Sequence, residues 1–144
     1  MKVLKRTSFV AIAGGIGAII VLALFAFSGQ TAQGQTAKFF DALARGDAKE
    51  LAATSYVEGR SQEEIEQEWA KAVERAKYFR FSWFVRSSVN HGPDQATVRL
   101  GYTPNYYPGS YDENYQVDVM KVDGQWKVHL PSLSREMYPF LPRW

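Results

Sequence analysis

The chain has 144 residues, 15% of them aromatic, and carries 17 Lys and Arg against 15 Asp and Glu. Lys2, Lys5 and Arg6 precede an apolar run, which leaves 14 cations against 15 acids beyond it; the part after the run therefore lacks the basic surplus that nucleic-acid binding needs. The absence of cysteine excludes disulfides, thiolate metal ligation and a thiol nucleophile.

Taken in chain order, residues 1–8 form a basic flank and Phe9 to Phe27 contain no charged side chain. Nineteen residues at about 1.5 Å each nearly match a hydrocarbon core of roughly 30 Å. The run therefore predicts a single transmembrane helix over 9–27, with the cations on the cytoplasmic side and the rest of the chain across the membrane. A cleaved signal, with Ala26-Phe27-Ser28 as a small-x-small site, is the alternative, and the length of the run argues against it. Within the span, Ala11/Gly15 and Gly14/Ala18 are small-xxx-small pairs of the kind that let a neighbouring helix approach closely, and they are also common by chance.

Residues 28–35 are polar, uncharged and rich in small side chains, which predicts a short linker to a domain over 36–131. Phe39, Phe40 and Leu43 mark the apolar face of a first helix from about Thr36, stopped by Gly46, and Asp47 with Glu50 opens a short second helix. Ser61 and Glu64 form a capping box ahead of Ile65, Trp69, Val73 and Ala76, the face of a third helix. The period then changes to two. Four apolar sets follow: Phe79/Phe81/Trp83/Val85, Ala96/Val98/Leu100/Tyr102, Tyr115/Val117/Val119 and Trp126/Val128/Leu130. They predict an antiparallel sheet of about four strands covered on one face, with Asp123-Gly124 as a two-residue hairpin turn. The fold class is α+β, helices packed on a curved sheet.

Two segments remain outside this pattern. Tyr102 to Tyr111 includes Tyr106 and Tyr107 and two prolines; tyrosine supplies contact area at low entropic cost, so this loop is expected to meet a partner, with a stiff hairpin packed on its own domain as the alternative. The tail over 132–144 is apolar and broken by Pro139 and Pro142. Left exposed it would be a liability, so it is expected to dock on its own sheet, on a neighbour or on the bilayer. Tyr102, Tyr106, Tyr107, Tyr111, Tyr138, Phe140 and Trp144 are the interface candidates, and Ala11, Gly14, Gly15 and Ala18 the helix-packing candidates.

Catalytic signatures are missing. The two histidines, His91 and His129, have no metal-binding spacing, and the carboxylate pairs Glu63/Glu64 and Asp112/Glu113 read as a helix cap and a loop. No phosphate loop or serine-nucleophile motif occurs. No cofactor and no metal is expected.

Phe39-Phe40-Asp41-Ala42-Leu43-Ala44-Arg45-Gly46-Asp47 and Gly124-Gln125-Trp126-Lys127-Val128 resemble the first helix and closing strand of the NTF2-like superfamily, whose fold is also described as cystatin-like. The resemblance covers about residues 36–131. It implies a cone of helices wrapped by a bent sheet, with a pocket in some members and only an interaction surface in others. Enzymatic members place Asp, Tyr or His inside the cone; here Tyr56, Asp118 and His129 are the available groups, and Asp118 and His129 alternate with the apolar set and so face away from the core. The expectation is a non-catalytic accessory subunit of a larger bacterial inner-membrane complex, of respiratory or photosynthetic type. Its partners would be integral subunits and the lipid bilayer. The alternatives are a ligand-binding or isomerase-like domain with a pocket lined by Trp69, Phe81, Trp83 and Trp126, and a transient assembly factor.

Overall fold

The computed structural model describes residues 30–105, 109 and 111–144. The chain divides into Met1–Gln30 and Thr31–Trp144, and the second unit is the folded domain. The expected span, with Ala11, Gly14, Gly15 and Ala18, lies outside the described residues, as do Tyr106 and Tyr107. Among the described residues no helix is long and apolar enough to cross a membrane.

Helix α1 spans Ala32–Arg45 and begins earlier than the expected Thr36. Thr31 caps it, its hydroxyl accepting from the Gly34 N–H at 2.9 Å. The polar stretch that reads as linker is partly helix because its glutamine has a buried partner: Gln35 donates Nε2–H to the Trp126 carbonyl at 3.0 Å. Gly46 ends α1 at φ 71°, the left-handed conformation glycine adopts without strain. Asp47 then caps α2, Ala48–Thr54, and Ser61 caps α3, Gln62–Arg75, accepting from the Glu64 N–H as the capping-box spacing predicts.

Five strands follow or interleave: β1 (Ser55–Tyr56), β2 (Phe81–Asn90), β3 (Gln95–Pro104), β4 (Glu113–Val122) and β5 (Gln125–His129), in the order β1-β5-β4-β3-β2. The four long strands are antiparallel neighbours. The expected all-antiparallel sheet of four is corrected by β1, which runs parallel to β5, Ser55 opposite Val128 and Tyr56 opposite His129. Two residues are too few to display a period, so the sequence pattern hides this strand. In β2 Val85 pairs with Leu100 and Ser87 with Arg99, so Arg86 is an extra residue in a bulge that bends the strand. Asp123 and Gly124 both have positive φ, 52° and 77°, the geometry a two-residue hairpin needs to match strand twist.

The core lies between the helices and one sheet face. Phe39, Phe40 and Leu43 of α1 and Ile65, Trp69 and Ala72 of α3 are buried, facing Val98 and Leu100 of β3, Val117 and Val119 of β4 and Val128 of β5. The alternation read from the sequence is the alternation observed. Asp118, between Val117 and Val119, points to the exposed face.

Candidate functional site

The C-terminal tail packs on the aromatic end of the inner sheet face. After β5 the chain turns through a short 3-10 helix, Leu130–Ser132. Ser132 fixes that turn, its hydroxyl donating to the His129 carbonyl at 2.7 Å and accepting the Asp118 N–H at 2.9 Å. Met137, Tyr138 and Leu141 are then buried. The Tyr138 ring lies edge-on to Phe79 at 5.5 Å, with Phe81 and Trp69 each at 6.4 Å. Tyr102 donates its hydroxyl to the Met137 carbonyl at 2.6 Å. Arg135 closes the tail on itself through hydrogen bonds to the Leu141 and Pro142 carbonyls at 2.7 and 2.8 Å.

This arrangement corrects two interface candidates. Tyr102 and Tyr138 are each only 1% exposed and belong to the core. Tyr102 sits on the inward register of β3, stacked on Phe81 at 5.0 Å, and Tyr138 fills the space beside it. Phe140 and Trp144 are half-buried, and Tyr111 is 78% exposed. Of the three docking places open to the tail, its own domain is the one it takes.

The four residues expected to line a pocket have protein against them. Trp69 is fully buried, with Phe39 at 5.7 Å and Trp144 at 6.1 Å besides Tyr138. Phe81 lies under Tyr102 and Tyr138. Trp83 packs on Phe40 at 5.7 Å, and Trp126 carries the Lys121 ammonium 5.3 Å over its ring.

Polar groups gather on the outer sheet face. His91 Nε2 lies 2.8 Å from the Thr97 hydroxyl, which donates to Asp118 Oδ1 at 3.0 Å. The Thr97 hydroxyl thus bridges the imidazole and the carboxylate on the exposed face of the sheet. Tyr56 and His129 lie ring to ring at 6.2 Å at the other edge. Asp112 accepts from Thr103 and Glu113 from Tyr115. Among the described residues no three acidic or histidine side chains cluster as metal ligands would.

Among the described residues three open clefts border the tail, one of them, of about 290 Å³, between Val57, Leu130 and Leu133 and the tail residues Leu141 and Trp144. A second, of about 380 Å³, lies over Leu43, Val73, Phe79 and Tyr138 and is rimmed by Lys77 and Arg80. The third, of about 370 Å³, has Arg75, Arg135 and Arg143 around Phe140 and Pro142, with Glu68 at its side. Lys71 holds the Glu68 carboxylate at 2.9 Å and pulls its pKa below the usual value; burial opposes this, and Arg60 and Arg75 add lesser pulls in the same direction as Lys71.

Burial pushes the Tyr138 phenol up to about 12, with Arg75 pulling weakly the other way. In the unfolded chain a phenol ionises near 10. Between those values the unfolded chain releases a proton that the folded domain retains, so stability is intact below about pH 10 and falls as pH rises towards 12. Tyr138→Phe is expected to flatten this alkaline loss relative to the parent, measured as the urea midpoint across that interval.

Comparison with known proteins places the fold. No protein-family model and no curated protein matches the chain. Among solved structures, an association domain of calcium/calmodulin-dependent protein kinase type II kind from Thiobacillus denitrificans superposes with a TM-score of 0.51 at 9% identity, over 69% of this chain and 90% of that one. A domain of unknown function with a cystatin-like fold from Nostoc punctiforme gives 0.51 at 19% identity, over 72% and 85%. An NTF2-like protein of unknown function from Shewanella oneidensis gives 0.48 at 12% identity, over 66% and 91%. At these identities the likeness is one of fold.

Proposed function

We propose, from an NTF2-like fold whose inner aromatic face is filled by its own tail, that this chain is a non-catalytic accessory subunit of a larger bacterial inner-membrane complex. The observation that carries the reading is Tyr138, set among Trp69, Phe79 and Phe81 on the inner aromatic face. A domain that spends its inner face on its own residues is left with its outer surfaces for recognition. The sequence adds the means of attachment: a basic flank and an apolar run long enough to span a bilayer, through which Ala11, Gly14, Gly15 and Ala18 would admit a neighbouring helix. The domain would then lie on the periplasmic side.

The test is affinity purification of tagged full-length protein in mild detergent, followed by mass spectrometry, beside a version lacking residues 1–28. Stoichiometric recovery of integral subunits, lost with the anchor, is the expected result. Substoichiometric recovery would favour a transient assembly factor. Recovery of the chain alone would remove the subunit reading and return attention to a ligand-binding role, with the tail as the element that must move.

A further inference from the structure

We infer that the arginine-walled cleft beside the tail is a docking site for an acidic peptide segment of a partner protein, one that carries an apolar side chain between carboxylates. The inference deepens the reading of the chain as a partner-binding subunit and rests on it.

Its basis is a contrast between two groups of arginines. Arg45 is paired with Asp41 and Asp47, Arg60 with Glu64 and Arg86 with Asp112, so these charges are met within the domain. Arg75, Arg80, Arg99, Arg135 and Arg143 have no ion pair among the described residues, and of these Arg75, Arg135 and Arg143 converge from two separate elements, the end of α3 and the tail, to wall one cleft. The single carboxylate there, Glu68, is already taken by Lys71. Arg75 also complements the negative end of α3; that accounts for one cation and leaves Arg143 without a reason to stand beside it. Arg135 is held by its two carbonyl bonds and keeps further N–H donors, so a guanidinium is pre-oriented before any ligand arrives.

The floor decides the class of ligand. Exposed Pro139 and half-buried Phe140 form an apolar strip between the cations, Leu141 and Pro142 being already buried in the domain. A bare oxyanion would use the guanidinium groups and leave this strip wet. A peptide with carboxylates flanking an aromatic or aliphatic side chain uses both, since guanidinium forks match carboxylates and the strip gains by losing water.

The experiment is fluorescence anisotropy of the full-length protein in mild detergent at low salt, with fluorescein-labelled Glu-Glu-Phe-Glu-Glu and its Gln-Gln-Phe-Gln-Gln counterpart. The acidic peptide is expected to bind at least about tenfold more tightly, and to lose at least about tenfold in the double variant Arg75→Gln/Arg143→Gln. Both arginines are exposed, so the variant should keep the parent's circular dichroism. The control Lys38→Gln/Lys49→Gln removes the same charge from exposed positions of α1 and α2 and should bind like the parent. Equal binding of the two peptides, an equal loss in the control, or displacement of the acidic peptide by an equimolar amount of inorganic phosphate would each overturn the proposal. Peptide binding without co-purified integral subunits would sink the membrane-complex reading and leave this site standing; the opposite pair of results would do the reverse.

Discussion

Ending the chain at Ser134 is expected to abolish cooperative folding of the domain. The deletion removes Met137, Tyr138 and Leu141, all buried, together with the half-buried Phe140 and Trp144. At about 1.5–3 kcal/mol for each fully buried side chain, the three alone contribute roughly 5–9 kcal/mol, comparable with the whole stability of a typical domain. The loss is compounded by what it uncovers. Trp69, Phe79 and Phe81 would face water, and Tyr102 would lose the carbonyl its hydroxyl reaches. Near-UV circular dichroism and urea unfolding would check this. A truncated protein with a sharp transition at the parent's midpoint would show that the tail is an ornament on the domain instead of part of its core.

Trp69→Ala is expected to be the most costly single substitution, at about 3–5 kcal/mol. Its ring joins α3 to α1 through Phe39 and to the tail through Tyr138 and Trp144, so the cavity left behind has walls from three elements that cannot all close on it. Trp69→Phe should be far milder, below about 1.5 kcal/mol. A phenyl ring retains much of the packing, and the substitution removes an indole N–H that is buried without a hydrogen-bond partner. Chemical denaturation of the three proteins measures the order. Equal losses for Ala and Phe would mean that indole shape, not ring volume, holds the site.

The parts of this fold legible in the sequence are those where one local rule acts alone. Gly46, Asp47 and the Ser61/Glu64 box set helix ends through backbone chemistry within a few residues, and the strands with alternating apolar sets declare which side faces the core. Three features needed the assembled domain. The start of α1 was masked because Gln35 and its neighbours look like a polar linker until Trp126 supplies a carbonyl 91 residues away. Strand β1 is too short to carry a pattern and exists through β5. Tyr102 differs from its sequence reading for a related reason: it continues the inward alternation of β3, a core signal, while its place beside Pro104 and the tyrosines that follow gives it the look of an interface loop. The apolar tail announced that it must be covered without announcing by what, since Pro139 and Pro142 deny it the periodicity that would have aimed its side chains.

The pairing of Ser55 with Val128 and the seating of Tyr138 against Trp69 join residues some seventy positions apart, so closure of this domain depends on partners distant in the chain. Contacts of such long sequence separation slow folding, because loop entropy is lost before the rewarding contacts form. The corresponding property of the native state is unusual for a chain terminus. Ends ordinarily fray first and exchange their amide hydrogens fastest. Here the Tyr138 amide, bonded to the Ser134 carbonyl in a residue whose buried side chain packs against three rings, should be among the slow ones, released only when the whole domain opens.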